Sequence, residues 1–388
     1  MSVLKYLNAL TSLLADIPRQ SRKKLDRGIL LLVCALCAFG TIMIWSASMY
    51  NAGQSQIGDS LYYVRKQAVF FAAGLILMLT VSVFNYRYLK VFSNLIMVIS
   101  AVLLVALMLL PKSEGANGAV RWLRIAGITV QPAELAKIAV MMFMSYHLEK
   151  LSYNVSGIQV FGLVLLYCAA VCLLIYAQPA LSTAIIVAVI IIGMYFIAGG
   201  NILYILSLAG LGGAAVYLFI RSNEWRMNRF FAFLDPFSDI LGEGWQPAQS
   251  LMALGSGGLL GKGLGAGSAK FGFLPFSEND YIFAVIGEEL GLVGCLALLF
   301  TYFLLILRIA RIAISAQDAF SRLFCSGMAI LFGIQVFLNV AVVTNIMPST
   351  GIILPLVSSG GSSLLTLMIG MGIVLNISRN CNEKLQGR

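Results

Sequence analysis

A helix needs about twenty consecutive apolar residues to cross the hydrocarbon of a bilayer, and this chain supplies such runs one after another along its 388 residues. About ten can be drawn, at roughly 28–48, 67–85, 91–111, 132–148, 157–177, 181–199, 201–220, 281–307, 323–346 and 362–378. Membrane-spanning strands would instead alternate in polarity over shorter segments. Composition agrees: 60% of residues are hydrophobic and 11% charged, against roughly 45–50% and about 25% in soluble domains. The expected fold class is therefore an all-α polytopic membrane protein of about ten transmembrane helices.

The runs divide the chain into a basic lead (1–27), one transmembrane domain (28–378) and a short tail (379–388). A large loop, 221–280, separates the seventh and eighth helices. No cleavable leader is expected, because the first run follows a long basic lead and is long enough to remain as a span. Within the lead, Val3, Leu4, Leu7, Leu10, Leu14 and Ile17 recur at helical spacing, which predicts a short interfacial helix. The Lys and Arg residues place both termini inside: Arg19, Arg22, Lys23, Lys24, Arg27, Arg87, Lys90, Arg308, Arg311 and Arg322 all fall on that side. The large loop then lies outside. The net charge of +10 meets anionic head groups and does not indicate nucleic acid, since no recognition motif accompanies it. Six of the seven cysteines sit in apolar runs, and His147 is the single histidine, so a Cys/His metal site has little to draw on.

Four outer segments are more polar than topology requires. Gly115 to Arg124 precedes Gln131-Pro132-Ala133-Glu134-Leu135-Ala136-Lys137, where Glu134 and Lys137 share a helix face. Two readings fit them: a structural ion pair, or cations poised for a phosphate-bearing lipid head group. The large loop carries Arg226 and Arg229 on one helical face, then Gly242-Glu243-Gly244-Trp245-Gln246-Pro247-Ala248-Gln249-Ser250 and a glycine-rich run to Gly265. The order around Lys262 is not that of a phosphate-binding P-loop; tight turns and close packing explain these glycines. Asp280 abuts the next span, with Glu288 two helical turns on. A carboxylate there either complements the helix dipole or serves as a general base, its proton affinity raised by poor hydration. Last, Gln335 and Asn339 lead into the Pro/Gly/Ser-rich stretch 345–363, a broken segment that requires burial or a wet cavity.

Taken together, these segments resemble the SEDS family of peptidoglycan polymerases (FtsW, RodA and SpoVE), with FtsW and SpoVE nearer than RodA. The resemblance runs from about Asp26 to Arg379. It rests on Arg121-Trp122, on Gln131 to Lys137, on Gly242-x-Gly244-Trp245-Gln246-x-x-Gln249-Ser250, on Asp280 to Gly291, and on Leu354 to Ser363. It implies a ten-span fold and glycosyl transfer from lipid II outside the membrane, with Asp280 catalytic. The expected substrate-binding residues are Arg121, Trp122, Glu134, Lys137, Arg226, Gln249, Ser250, Lys262, Glu288 and Ser362. A divalent cation, Mg²⁺ or Mn²⁺, is expected to assist the pyrophosphate. The implied partner is a class B penicillin-binding protein of the division or elongation machinery, in the bacterial plasma membrane. Three positions depart from the family pattern. Ala180 stands where an Asp is usual, Ser359 replaces an aromatic, and Thr344-Asn345-Ile346 replaces Thr-Gly-Leu. No role assigned to the missing acid carries over. A lipid II flippase and a non-catalytic division scaffold are the alternative functions.

Overall fold

The computed structural model describes residues 25–54, 59–110, 121–125, 128–178, 180–222, 224–275 and 277–381. The expected interfacial helix at 3–17, the 115–120 segment and most of the tail lie outside them.

The structure is helical apart from a two-stranded hairpin. The helices are α1 (Arg27–Gln54), α2 (Tyr62–Val83), α3 (Tyr86–Val91), α4 (Ser93–Leu109), α5 (Pro132–Lys150), α6 (Ile158–Tyr176), α7 (Leu181–Ile197), α8 (Ile202–Arg221), α9 (Glu224–Leu234), α10 (Trp245–Gly257), α11 (Ile282–Ser315), α12 (Ala319–Val343) and α13 (Gly361–Ser378). The hairpin pairs β1 (Leu123–Ile125) antiparallel with β2 (Ile128–Val130) just before α5.

Helix starts follow side chains able to accept the orphan N–H groups of a first turn. Asp26 Oδ1 accepts from Gly28 N at 2.8 Å and Ile29 N at 3.1 Å, and Arg308 Nη1 reaches the same oxygen at 3.1 Å. Asn201 caps α8 through Leu203 N, and Asp318 caps α12 through Ser321 N. Pro132 opens α5, where its missing N–H costs nothing.

Among the described residues, seven helices are long and apolar enough to cross a membrane: α1, α2, α6, α8, α11, α12 and α13. Helices α4 and α7 are apolar but shorter. α13 is buried along nearly its whole length, packed against α2 and reaching α5 and α12, and forms the centre of the bundle. α8 lies at the periphery, with only Leu208 buried.

Two features differ from the sequence expectation. The 221–280 region is not simply loop but contains α9 and α10. The buried side of α10 consists of Pro247, Ala248, Ser250, Ala253 and Gly257; residues this small leave no strong apolar stripe to read. Second, α11 is longer than its expected span, and its helical geometry breaks at Gly291, with φ 67° and ψ −168°. The glycine-rich run fills that break. Lys262 N and Gly263 N donate to Glu288 O and Glu289 O at 3.0 and 2.9 Å, while Leu292 N and Val293 N donate to Gly258 O and Leu259 O. Carbonyls and amides released by the break are thus satisfied by another backbone. A Cβ at Gly261 would lie 2.2 Å from Glu289 O, so only glycine permits the approach.

The stretch between α12 and α13 is irregular and buried, with Leu354, Leu356 and Val357 shielded. Tyr302 donates its hydroxyl to Pro355 O, and Leu354 N donates to Ser358 Oγ at 2.8 Å. Such backbone is tolerated within a membrane domain because protein groups satisfy it.

Candidate active site

Asp280 lies on a short segment clamped from three sides. Ser277 Oγ donates to Ala47 O of α1 at 3.3 Å, Ser359 N donates to Glu278 O at 2.9 Å, and Asn339 Nδ2 donates to Asp280 O at 2.8 Å. The same Asn339 amide holds Ile352 O at 2.8 Å, which fixes the irregular stretch beside the Asp280 segment. A Cβ on Gly351 would sit 3.8 Å from Asp280 Oδ2, ordinary contact distance, so the carboxylate faces that stretch. Asp280 is half-buried. Loss of hydration is the first cause that pushes its carboxyl up, to about 6; Arg229 of α9 opposes the rise and Glu278 adds to it. At neutral pH the group is mostly ionised yet holds protons far more tightly than an exposed Asp, as a general base requires.

A second cluster lies at the start of α5. Lys137 Nζ and Glu134 Oε1 pair at 2.8 Å, with side chains 2% and 7% exposed. At that burial an ion pair needs further hydrogen bonds. Ser363 Oγ supplies one, donating to Glu134 Oε2 at 2.7 Å. The Lys137 ammonium makes no other hydrogen bond among the described residues, so it retains donors for an anion. Ser362 Oγ accepts from Gln131 N at 3.2 Å and so holds the entry to α5.

Residues 359–363 join the two clusters, since Ser359 holds the Asp280 segment and Ser362 and Ser363 hold the start of α5. Four residues of chain span at most about 14 Å, which places the carboxylate segment and the lysine at one end of α13.

The remaining expected site residues separate into two groups. Lys262 and Glu288 pair with each other at 2.7 Å, and Glu288 also accepts from Ser268 N, Ser268 Oγ and Ala269 N. Ser250 Oγ donates to Val343 O at 2.7 Å and ties α10 to the end of α12. These contacts hold the large loop in place. Gln249 is half-buried on α10, and Trp122 and Arg121 are exposed before β1. The Arg226 side chain lies outside the described residues. Partial loss of hydration at the guanidinium, and then the Arg229 charge, loosen Arg121's hold on its proton. Arg229 also reaches Glu243 at 3.6 Å.

Two residues here are not among the site residues expected from sequence, although Arg229 is named there beside Arg226. Arg229 faces both Asp280 and Arg121; its spacing from Arg226 was the available signal. Lys270 is 1% exposed and pairs with the wholly buried Glu289 at 2.8 Å, while also donating to Ser46 Oγ and Gly265 O. Nothing local marks Lys270, because its side-chain partners, Ser46 and Glu289, come from α1 and α11.

No three or more His, Cys, Asp or Glu side chains converge among the described residues. The donors among the described residues therefore do not by themselves make a side-chain cation cage.

The family described as "Cell cycle protein" (FtsW/RodA/SpoVE) matches residues 27–383. This chain belongs to that family. It is 36% identical over 358 residues to the probable peptidoglycan glycosyltransferase FtsW of Geobacter metallireducens, covering 92% of this chain and 95% of that one. It is 34% identical over 362 residues to stage V sporulation protein E of Bacillus subtilis, covering 92% and 98%. Among solved structures, a chain from a peptidoglycan synthase complex that coordinates polymerisation and crosslinking superposes with a TM-score of 0.74 at 28% identity, covering 92% and 98%. The rod shape determining protein RodA of Thermus thermophilus superposes with a TM-score of 0.65 at 27% identity, covering 92% and 98%. The FtsW/RodA/SpoVE family thus supplies both the sequence and the fold relatives of this chain.

Proposed function

We propose that this protein is a peptidoglycan glycosyltransferase that polymerises lipid II into β-1,4 glycan strands, with Asp280 as its general base. The observation that carries the reading is the placement of Asp280: a clamped carboxylate, pushed up to about 6 by lost hydration, at the mouth of a buried polar segment. Asp280 takes the proton of the acceptor's 4-hydroxyl as that oxygen attacks the donor's anomeric carbon. The new C–O bond forms while the bond to undecaprenyl pyrophosphate breaks, and the α configuration inverts to β. The single carboxylate suffices because pyrophosphate leaves without a general acid when its charge is compensated. Lys137 and Arg121 supply that compensation, joined by Arg229; Arg226 and the N-terminus of α13 add to it. Glu134 and Ser363 orient Lys137. Trp122 and Gln249 contact the sugar or lipid from the rim, while Ser362, Ser250, Lys262 and Glu288 keep the walls of the site in register. Mg²⁺ or Mn²⁺, brought by the pyrophosphate, would add to the compensation of its charge.

With α4, α5 and α7 added to the seven longer helices, the chain crosses the membrane ten times. Seventeen-residue helices such as α4 and α7 are at the short end of spanning length. Both termini are cytoplasmic, and Asp280 faces outward. The likeness to a synthase-complex chain supports a class B penicillin-binding protein as the partner that cross-links the strands.

The test is strand synthesis from labelled lipid II by the purified protein with its transpeptidase partner, comparing wild type with Asp280→Asn. Strands from wild type alone are expected. Strands from both would remove Asp280 as the base. Strands from neither, with the partner bound, would favour a flippase or a scaffold.

A further inference from the structure

Glu278, two residues before the base, has no part in the mechanism above. Its side chain is buried, with the residue 6% exposed. Its Oε2 atom makes no hydrogen bond among the described residues, a costly state for a carboxyl oxygen. The backbone around it cannot swing the group outward, because Ser277 is tied to α1 and Glu278 O accepts from Ser359 N. Both carboxyl groups are therefore held on one clamped segment, under poor hydration, with a single residue between them.

We propose that Glu278 is a positioning residue for Asp280: held on the same clamped segment, its carboxylate when ionised repels that of Asp280 and makes Asp280 a stronger base. The inference rests on the reading of Asp280 as the base. Charge repulsion between two carboxyl groups in a dry site is strong, and it disfavours the doubly ionised state. The direction agrees, since Glu278 is one of the causes that raise Asp280, and burial raises Glu278 itself. The two therefore lose their protons in coupled steps, and the second step governs the base. The charged and titratable groups facing the pair are Tyr63 of α2, Arg229 of α9 and Tyr281 at the head of α11. α12 contributes the Asn339 amide and the irregular stretch contributes Gly351. Arg229 works against Glu278, so the proton affinity of Asp280 is set by the balance of the two.

The experiment is the pH profile of strand synthesis from lipid II, between about pH 5 and 8, for the intact protein with its transpeptidase partner. Glu278→Gln keeps the shape and removes the charge. Its acid limb should fall to lower pH by roughly half a unit or more, so that the variant is less acid-sensitive than wild type. Glu278→Asp keeps a charge nearby and should retain most of the wild-type limb; it also serves if the Gln variant does not fold. A Gln profile that superposes on wild type would overturn the inference. So would a raised KM with an unmoved limb, because Glu278 would then contact substrate directly. So would an Asp variant whose limb falls fully with the charge still present. Asp280→Asn in the same assay separates the two readings: activity in that variant sinks the base itself, whereas inactivity leaves only the Glu278 inference at stake.

Discussion

Asp280→Asn should stabilise the protein while it abolishes polymerisation, because the site holds its base in a partly ionised, poorly hydrated state. Burial raises the Asp280 carboxyl from an ordinary 3.8 to about 6. At 1.36 kcal/mol per pH unit, ionising it in the folded protein costs about 3 kcal/mol. Water reaching the half-buried group lowers the recoverable part, so about 1–3 kcal/mol is expected. The sign is fixed by linkage: a group whose folded proton affinity is raised stabilises below its unfolded value and loses that stabilisation as pH rises through about 6. The Asn variant carries no such charge. Its advantage should be full above about pH 6 and should vanish below about pH 4. Thermal unfolding in detergent, followed at several pH values for wild type and variant, measures it directly. An Asn variant no more stable than wild type at pH 7.5, or an advantage independent of pH, would refute the claim that the carboxylate is held in an unfavourable environment.

Two further outcomes test the architecture. Lys270→Met leaves Glu289 buried without its partner and should destabilise by about 3–5 kcal/mol, whereas Lys270→Met with Glu289→Met should recover much of that in a double-mutant cycle; additive losses in the unfolding midpoints would deny the pairing. Gly291→Ala should destabilise by at least about 1–3 kcal/mol, because its backbone lies where non-glycine residues are strained and a Cβ would sit 2.4 Å from Gly261 N. Wild-type unfolding behaviour in that variant would mean that the junction between the glycine-rich run and α11 is not as described.

What the sequence determined by itself was whatever is local. Apolar runs of spanning length place the helices, since burial in lipid demands that each segment satisfy its own backbone. A carboxylate against a span marks Asp280 as a candidate, and residues three apart on a helix bring Glu134 to Lys137, which the structure pairs at 2.8 Å. The broken stretch before α13 was also legible, because Pro, Gly and Ser interrupt an apolar pattern. Tertiary structure alone decided the rest. Lys270 meets Glu289 and Ser46 across 19 and 224 residues of chain, and no spacing rule reaches that far. Lys262 and Glu288, 26 residues apart in the chain, pair with each other. Ser250 and Ser362 satisfy backbone groups of other elements, a need that arises only once those elements are packed. The reason is common to all of them. Hydropathy and helical period act within a few turns, whereas the partner of a buried charge or hydroxyl is chosen by which distant segments the fold brings within hydrogen-bond reach.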